Sequence, residues 1–271
     1  MAQELPVGMI ATDVDGTLVP RSRFIAPENL SAIRRAQQKG VIFTIASGRF
    51  PENLFLLMRD AGIRCPIIGA NGGRVIDEDG RVISQHLMAT ASAIRVLDVI
   101  TAFGADYFLF APLAICTPRA EVIHHSELSQ RERLKPLGFT YYHGANEARA
   151  LCGSAVLKFY ICDNVPLAPI REALQGIPDI LITRSSPANI EVMPAGVDKG
   201  MGVSEFARRC GVPLSRVMAL GDEENDIPMI AITGYGTAMG NASDAVKAAA
   251  KYVTATCEDC GFARAIERYV L

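Results

Sequence analysis

The sequence predicts an α/β protein: a doubly wound parallel-sheet (Rossmann-like) core interrupted by an inserted α+β domain. Three observations carry that expectation. Short apolar strands alternate with amphipathic helices from Met9 to Ala70, the rhythm breaks after Asn71-Gly72-Gly73, and it resumes past residue 188. Brief apolar runs separated by one-sided helices are what a parallel sheet covered on both faces requires.

Met9-Ile10-Ala11-Thr12 is a strand, being apolar without alternation and too short for a helix. Pro27 to Lys39 follows as a helix, with Leu30, Ile33 and Ala36 on one face, Pro27 in the first turn and Gly40 just past the end. Val41 to Ala46 is the second strand. After Ser47-Gly48-Arg49 comes a helix with Leu54, Leu57 and Met58, closed by Gly62, and Pro66 to Ala70 is the third strand. Arg74 to Asp77 and Arg81 to Ser84 read as a hairpin turning at Asp79-Gly80. The next stretch, 85–187, is mixed: a helix with Ile94, Leu97 and Ile100, strands near Tyr107 to Phe110 and Val156 to Ile161, a helix from Pro166, and a strand at Ile180 to Thr183. Alternation then returns with a helix from Lys199 to Cys210, a strand from Val217 to Leu220, a helix from Ile227 to Ala231 and a strand from Tyr235 to Met239. The expected division is a discontinuous core of 1–84 and 188–271 around an α+β insert at 85–187.

Composition narrows the function classes. The chain has 271 residues, 49% hydrophobic and 21% charged, enough to bury a sizeable core. A net charge of -2, with no basic run interleaved with aromatics, argues against nucleic-acid binding. The opening Met-Ala-Gln-Glu-Leu-Pro lacks a secretory pattern and no apolar stretch approaches a membrane span, so a cytoplasmic protein without a membrane partner is expected. Seven scattered cysteines read as reduced thiols. Cys257 and Cys260 have the spacing of a metal knuckle or redox pair, but no second Cys or His pair accompanies them. His124-His125 likewise lacks a matching carboxylate and reads as an exposed pair. Gly234-Tyr235-Gly236 with Gly240 has the wrong spacing for a dinucleotide loop.

The chemistry gathers at strand ends. Asp13-Val14-Asp15-Gly16-Thr17 closes the first strand with two carboxylates, which cost free energy in a buried setting unless a cation or hydrogen bonds compensate. Magnesium would do so. Ser47-Gly48-Arg49 ends the second strand, Gly221-Asp222-Glu223-Glu224-Asn225-Asp226 follows the strand ending at Leu220, and Asp198-Lys199-Gly200 opens a helix. Ligands bind at that edge of open α/β sheets. Acids hold a hard cation, while the hydroxyl, backbone amides and lysine hold an oxyanion. Phosphoryl transfer uses that combination. Each cluster alone has an ordinary reading as a loop, a solvated lysine or an acidic turn; four in order at one edge do not.

In order, these clusters resemble the four motifs of the haloacid dehalogenase (HAD) superfamily. The spacing of the last two, Asn71-Gly72-Gly73 and the tail Ala238-Met239-Gly240-Asn241-Ala242 narrow the resemblance to Cof-type phosphatases with a C2 (IIB-like) cap between the second and third motifs. That resemblance covers essentially the whole chain, although the cap segment shows no comparable signature. It implies a HAD core and a lid, with Asp13 as nucleophile forming an aspartyl-phosphate and Asp15 as general acid and base. Mg2+ would be held by Asp13, the Asp15 backbone carbonyl and Asp222, with Asp226 orienting from behind. Ser47, Gly48, Lys199 and Asn225 would bind phosphate, and Val14 and Gly16 could add backbone amides. Arg49, Asn71 and Lys158 are further candidates for touching substrate.

The expected activity is Mg2+-dependent hydrolysis of a small phosphorylated metabolite, such as a sugar phosphate or phosphorylated cofactor. Two alternatives stay open at this point: a phosphomutase, and a non-hydrolytic phospho-acceptor or metabolite sensor, against which Asp15 and the long insert argue. Substrate identity and oligomeric state are not legible in the residues.

Overall fold

The computed structural model describes residues 6–20, 24–122 and 131–271. Two compact units emerge, one formed by Met1–Ile83 with Asp198–Leu271 and the other by Ser84–Val197. Among the described residues, no helix is long and apolar enough to cross a membrane.

In chain order, the first unit begins with β1 (Met9–Thr12), α1 (Pro27–Gln38), β2 (Ile42–Ala46), α2 (Pro51–Asp60), β3 (Ile67–Gly69), β4 (Arg74–Ile76) and β5 (Val82–Gln85). The second unit holds α3 (Thr90–Ala102), β6 (Tyr107–Ala111), β7 (Ala114–Thr117), β8 (Thr140–His143), α4 (Ala145–Cys152), β9 (Lys158–Cys162), α5 (Leu167–Leu174), β10 (Ile180–Thr183) and β11 (Asn189–Pro194). The chain then returns to the first unit as α6 (Lys199–Arg209), β12 (Val217–Gly221), α7 (Ile227–Ile232), β13 (Tyr235–Ala238), α8 (Asp244–Ala249), β14 (Tyr252–Val253) and α9 (Gly261–Tyr269).

The first unit is built on an eight-stranded sheet ordered β14-β13-β12-β1-β2-β3-β4-β5. Strands β14 through β3 run parallel and β4 turns antiparallel. All four residues of β1 are buried, and alternate side chains enter different cores. Ile10 joins Phe43, Ile45 and Leu220 beneath Ile33 of α1 and Phe262 and Ile266 of α9. Met9 and Ala11 join Val217 and Ala219 beneath Val203 and Phe206 of α6 and Met229 of α7. Burial on both faces explains the unbroken apolar character of the strand.

The second unit is a six-stranded sheet ordered β10-β11-β9-β6-β7-β8, antiparallel except for the β7–β8 pair. Residues of α3, α4 and α5 share one core with inward side chains such as Leu109, Phe159 and Val192. Strand β11 extends this unit past the expected border at 187. It pairs with β9 and β10, so the compact unit runs to Val197. Its Asn189 and Glu191 interrupt the apolar run and hide it from a reading of hydropathy.

Candidate active site

Strand β1 lies between β2 and β12, with Thr12 level with both Ile45 and Leu220. The three chains leave the sheet side by side where its connections diverge in opposite directions, which opens a crevice. Asp13 comes first; its N–H donates to the Leu220 carbonyl at 2.9 Å. The backbone then turns through Gly16 at φ +79°, where a β-carbon would run into the Asp222 carboxylate. Only glycine meets both demands. Thr17 Oγ1 donates to Asp222 Oδ1 at 2.8 Å, tying the first cluster to the last. Nothing in the local sequence pattern signals this role for Thr17, because its partner lies 205 residues away.

Lys199 is positioned by its neighbour. The Asp198 side chain caps α6 by accepting from the Met201 N–H at 2.7 Å, which makes Lys199 the first helical residue. Its Nζ donates to Asp13 Oδ1 at 2.7 Å and Asp226 Oδ1 at 2.6 Å. Asp226 Oδ2 accepts the N–H groups of Asp222 at 2.9 Å and Glu223 at 3.0 Å. Both Asp226 oxygens are thus engaged, and the residue braces the loop.

Carboxylate oxygens of Asp13, Asp222 and Asp226 lie within 4.8 Å of one another. With all three ionised, the buried carboxylates facing one ammonium leave two negative charges over. Burial holds the Asp13 carboxyl well above its usual range despite Lys199, and repulsion from Asp226 and Asp222 adds to the rise. Burial, then Asp226, pushes Asp222 up to about 7. Burial also opposes the charge on Lys199, but Asp13 and Asp226 outweigh it and raise its pKa, so it stays an ammonium. An all-oxygen donor set with two surplus charges fits a hard divalent cation. Asp13 and Asp222 are the residues that could hold it, both Asp226 oxygens being engaged.

The loops that follow β2 and β12 also carry groups suited to an anion. Ser47 is buried, and its Oγ accepts the Arg49 N–H at 3.3 Å, with Gly48 half-buried between them. The Ser47 carbonyl accepts the Asn71 N–H at 3.0 Å. Ala70 and Asn71 both adopt positive φ, 49° and 55°, a strained conformation that asparagine tolerates better than most residues. Asn71 is fully buried, and its Oδ1 accepts Asn225 Nδ2 at 3.1 Å; Asn225 Oδ1 is buried without a hydrogen-bond partner. At Gly72, φ is +92° and a β-carbon would strike the Asp198 carbonyl, so this turn also packs beneath the start of α6. One turn therefore connects Ser47, Asn225 and Lys199.

The remaining candidates have charged partners of their own. Arg49 grips Asp15 through both oxygens, Nε to Oδ2 at 2.8 Å and Nη2 to Oδ1 at 2.5 Å, each side chain about half exposed. Lys158 lies in the other unit, buried, donating to Glu191 Oε2 at 2.9 Å with its Nζ 4.7 Å from the Phe110 ring centroid. Glu223 takes part in a reciprocal capping box with Asp226. Cys257 and Cys260 belong to no cluster of three or more potential metal ligands among the described residues; Cys257 is buried and burial pushes its thiol up to about 12. His124-His125 lies outside the described residues.

Comparison with known proteins gives the family. Residues 10–266 match the haloacid dehalogenase-like hydrolase family. The chain is 30% identical to a 5-amino-6-(5-phospho-D-ribitylamino)uracil phosphatase of Bacillus subtilis (strain 168), over 99% of this chain and 98% of the relative. It is 26% identical to a pyridoxal phosphate phosphatase of Escherichia coli (strain K12), over 90% and 92% of the two chains. A solved HAD subclass IIB sugar phosphatase superposes with a TM-score of 0.81 at 25% identity, covering 97% of this chain and 99% of that one. The chain belongs to the haloacid dehalogenase-like hydrolases. It is an enzyme of the phosphoric monoester hydrolase class.

Proposed function

We propose that this protein hydrolyses small phosphorylated metabolites, with Mg2+ as cofactor and an aspartyl-phosphate on Asp13 as intermediate. One observation carries the reading: Asp13, at the end of a buried strand, has one carboxylate oxygen held by Lys199 in a pocket with two negative charges in excess. Asp13, Asp222 and the Asp15 backbone carbonyl would hold the metal, and when bound it would offset charge between nucleophile and phosphate.

Lys199, Ser47, the Gly48 amide and Asn225 bind and orient the phosphoryl oxygens, so that Asp13 attacks phosphorus as the substrate oxygen leaves. The P–O bond to the leaving group breaks while the bond to the Asp13 carboxylate forms. Asp15 gives its proton to the leaving oxygen and then takes one from the water that cleaves the acyl phosphate. Arg49 engages both Asp15 oxygens, so the ion pair must loosen before either can reach the leaving oxygen. Different named substrates among the relatives, a ribitylaminouracil phosphate and pyridoxal phosphate, support a phosphorylated metabolite without choosing one.

Turnover of p-nitrophenyl phosphate tests the reading. Inorganic phosphate should be released only with Mg2+ present, and Asp13→Asn should abolish release while the protein remains folded. Persistent activity in folded Asp13→Asn would sink the assignment. A panel of phosphorylated metabolites, with inorganic phosphate and isomerised product both measured, then identifies the substrate and separates hydrolysis from mutase chemistry.

A further inference from the structure

Asn241 lies just after β13, and its side chain reaches two distant loops. Its Nδ2 donates to the Gly16 carbonyl at 2.9 Å and to Asp222 Oδ2 at 3.2 Å, while its Oδ1 accepts the Cys257 N–H at 2.8 Å. The amide can face only one way. A backbone N–H is always a donor, a carbonyl always an acceptor, and an ionised carboxylate an acceptor, so flipping the group would turn its contacts with Cys257 and Gly16 repulsive.

We propose that Asn241 is a positioning residue of the metal site, holding the Asp222 carboxylate and, through the Gly16 carbonyl, the turn that follows Asp15 in the arrangement that receives the cation; this rests on the metal reading above. Asp222 has a donor on each oxygen from a different loop: Thr17 on Oδ1 at 2.8 Å and Asn241 on Oδ2 at 3.2 Å. Two donors on opposite oxygens fix the plane of the carboxylate and hence the direction it offers a ligand. The Cys257 turn locks the device from behind. Cys257 Sγ donates to the Thr17 carbonyl at 3.1 Å, and the Gly240 N–H donates to the Ala255 carbonyl at 2.9 Å. This gives the Cys257 segment a part in the site through its backbone, with no thiol chemistry.

Asn241 is exposed, so its loss removes a hydrogen-bond donor from Asp222 without opening the core. The test is calorimetric titration of MgCl2 into metal-stripped wild type and Asn241→Ala, with thermal melts in chelator alongside. Asn241→Ala should bind Mg2+ about 10–100-fold more weakly, the usual cost of losing an outer partner of a metal ligand. Its metal-free melting should stay close to that of wild type. Raising Mg2+ should recover kcat, leaving KM for p-nitrophenyl phosphate unchanged, a split that a general loss of structure would not give. Should the alanine variant fail to fold, Asn241→Ser, too short to reach Asp222, takes its place. Mg2+ affinity within about twofold of wild type in a folded variant overturns the proposal, since that is well below the effect of a true outer partner. Wild-type protein that binds no Mg2+ overturns the metal reading itself, before any variant is compared.

Discussion

Each unit buries a lysine against carboxylates, and the two arrangements differ in their charge balance. In the inserted unit, Lys158 donates to Glu191 Oε2 at 2.9 Å, and the second Glu191 oxygen accepts Ser185 Oγ at 2.6 Å. In the core unit, Lys199 faces Asp13 and Asp226, with Asp222 beside them, and two negative charges are left over. A buried lysine that meets a cluster of three carboxylates leaves a charge imbalance that a bound cation would relieve.

The largest expected effect comes from Asp13→Asn. It should lower turnover by at least about three orders of magnitude, as loss of a nucleophile does, while leaving the metal-free protein as stable as wild type or more so, because one surplus charge disappears. Activity assays with melts in chelator check both halves. A destabilised but active variant would erase the contrast between the units.

Next is the lysine of each unit. Lys158→Met strands a buried Glu191 charge and should cost about 3–5 kcal/mol, whereas adding Glu191→Leu should return stability to near wild type. At the core site, Lys199→Met with Asp226→Leu should recover neither stability nor catalysis, because Asp226 Oδ2 also accepts the N–H groups of Asp222 and Glu223. Denaturant unfolding of both pairs, with phosphate release from p-nitrophenyl phosphate, separates a balanced pair from a working one.

The pH response should be smaller and of defined sign. Asp222 is raised to about 7 in the folded protein, against an ordinary carboxylate value of about 4. Between those values the folded state keeps a proton that the unfolded state releases, so metal-free stability falls as pH rises through the window. Mg2+ competes with that proton, so its stabilising effect should grow over the same range. Melting at pH 5 and pH 8, each with and without Mg2+, checks this; a metal-free protein more stable at pH 8 would contradict it.

The smallest stability change belongs to Arg49→Ala, since an exposed ion pair contributes only about 0–1 kcal/mol. Its effect should instead appear in the pH dependence of kcat/KM, because Asp15 loses the partner that orients it. An unchanged pH profile would leave Arg49 with no part in proton transfer.

Much of the fold was legible because β1, β2 and β12 are buried on both faces, which writes an unbroken apolar run into each. The inserted unit was harder to read. Strand β8 is Thr-Tyr-Tyr-His and β11 contains Asn189 and Glu191, and Glu191 is acceptable in a buried strand because partners such as Lys158 of the neighbouring strand and Ser185 compensate its charge. Helix α9 had its signal in the spacing of Phe262, Ile266 and Tyr269, although its starting residue follows Cys260 at positive φ rather than an ordinary cap. At the site, local motifs exposed Asp13, Ser47, Lys199 and Asp222 as candidates. Their connections were not legible: Thr17 reaches Asp222, Asn71 reaches Asn225, and Asn241 reaches Gly16 across more than half the chain. Such contacts are set by how strands stack in the sheet, which spacing along the sequence does not encode.

The most direct test of the central claim is a rapid acid quench of Asp15→Asn, in which breakdown of the intermediate is slowed, after mixing with labelled phosphomonoester and Mg2+. The account predicts a covalent phosphoryl adduct on the peptide carrying Asp13, absent when Asp13→Asn is added. Phosphate release without any such adduct, or label on a different residue, would contradict it.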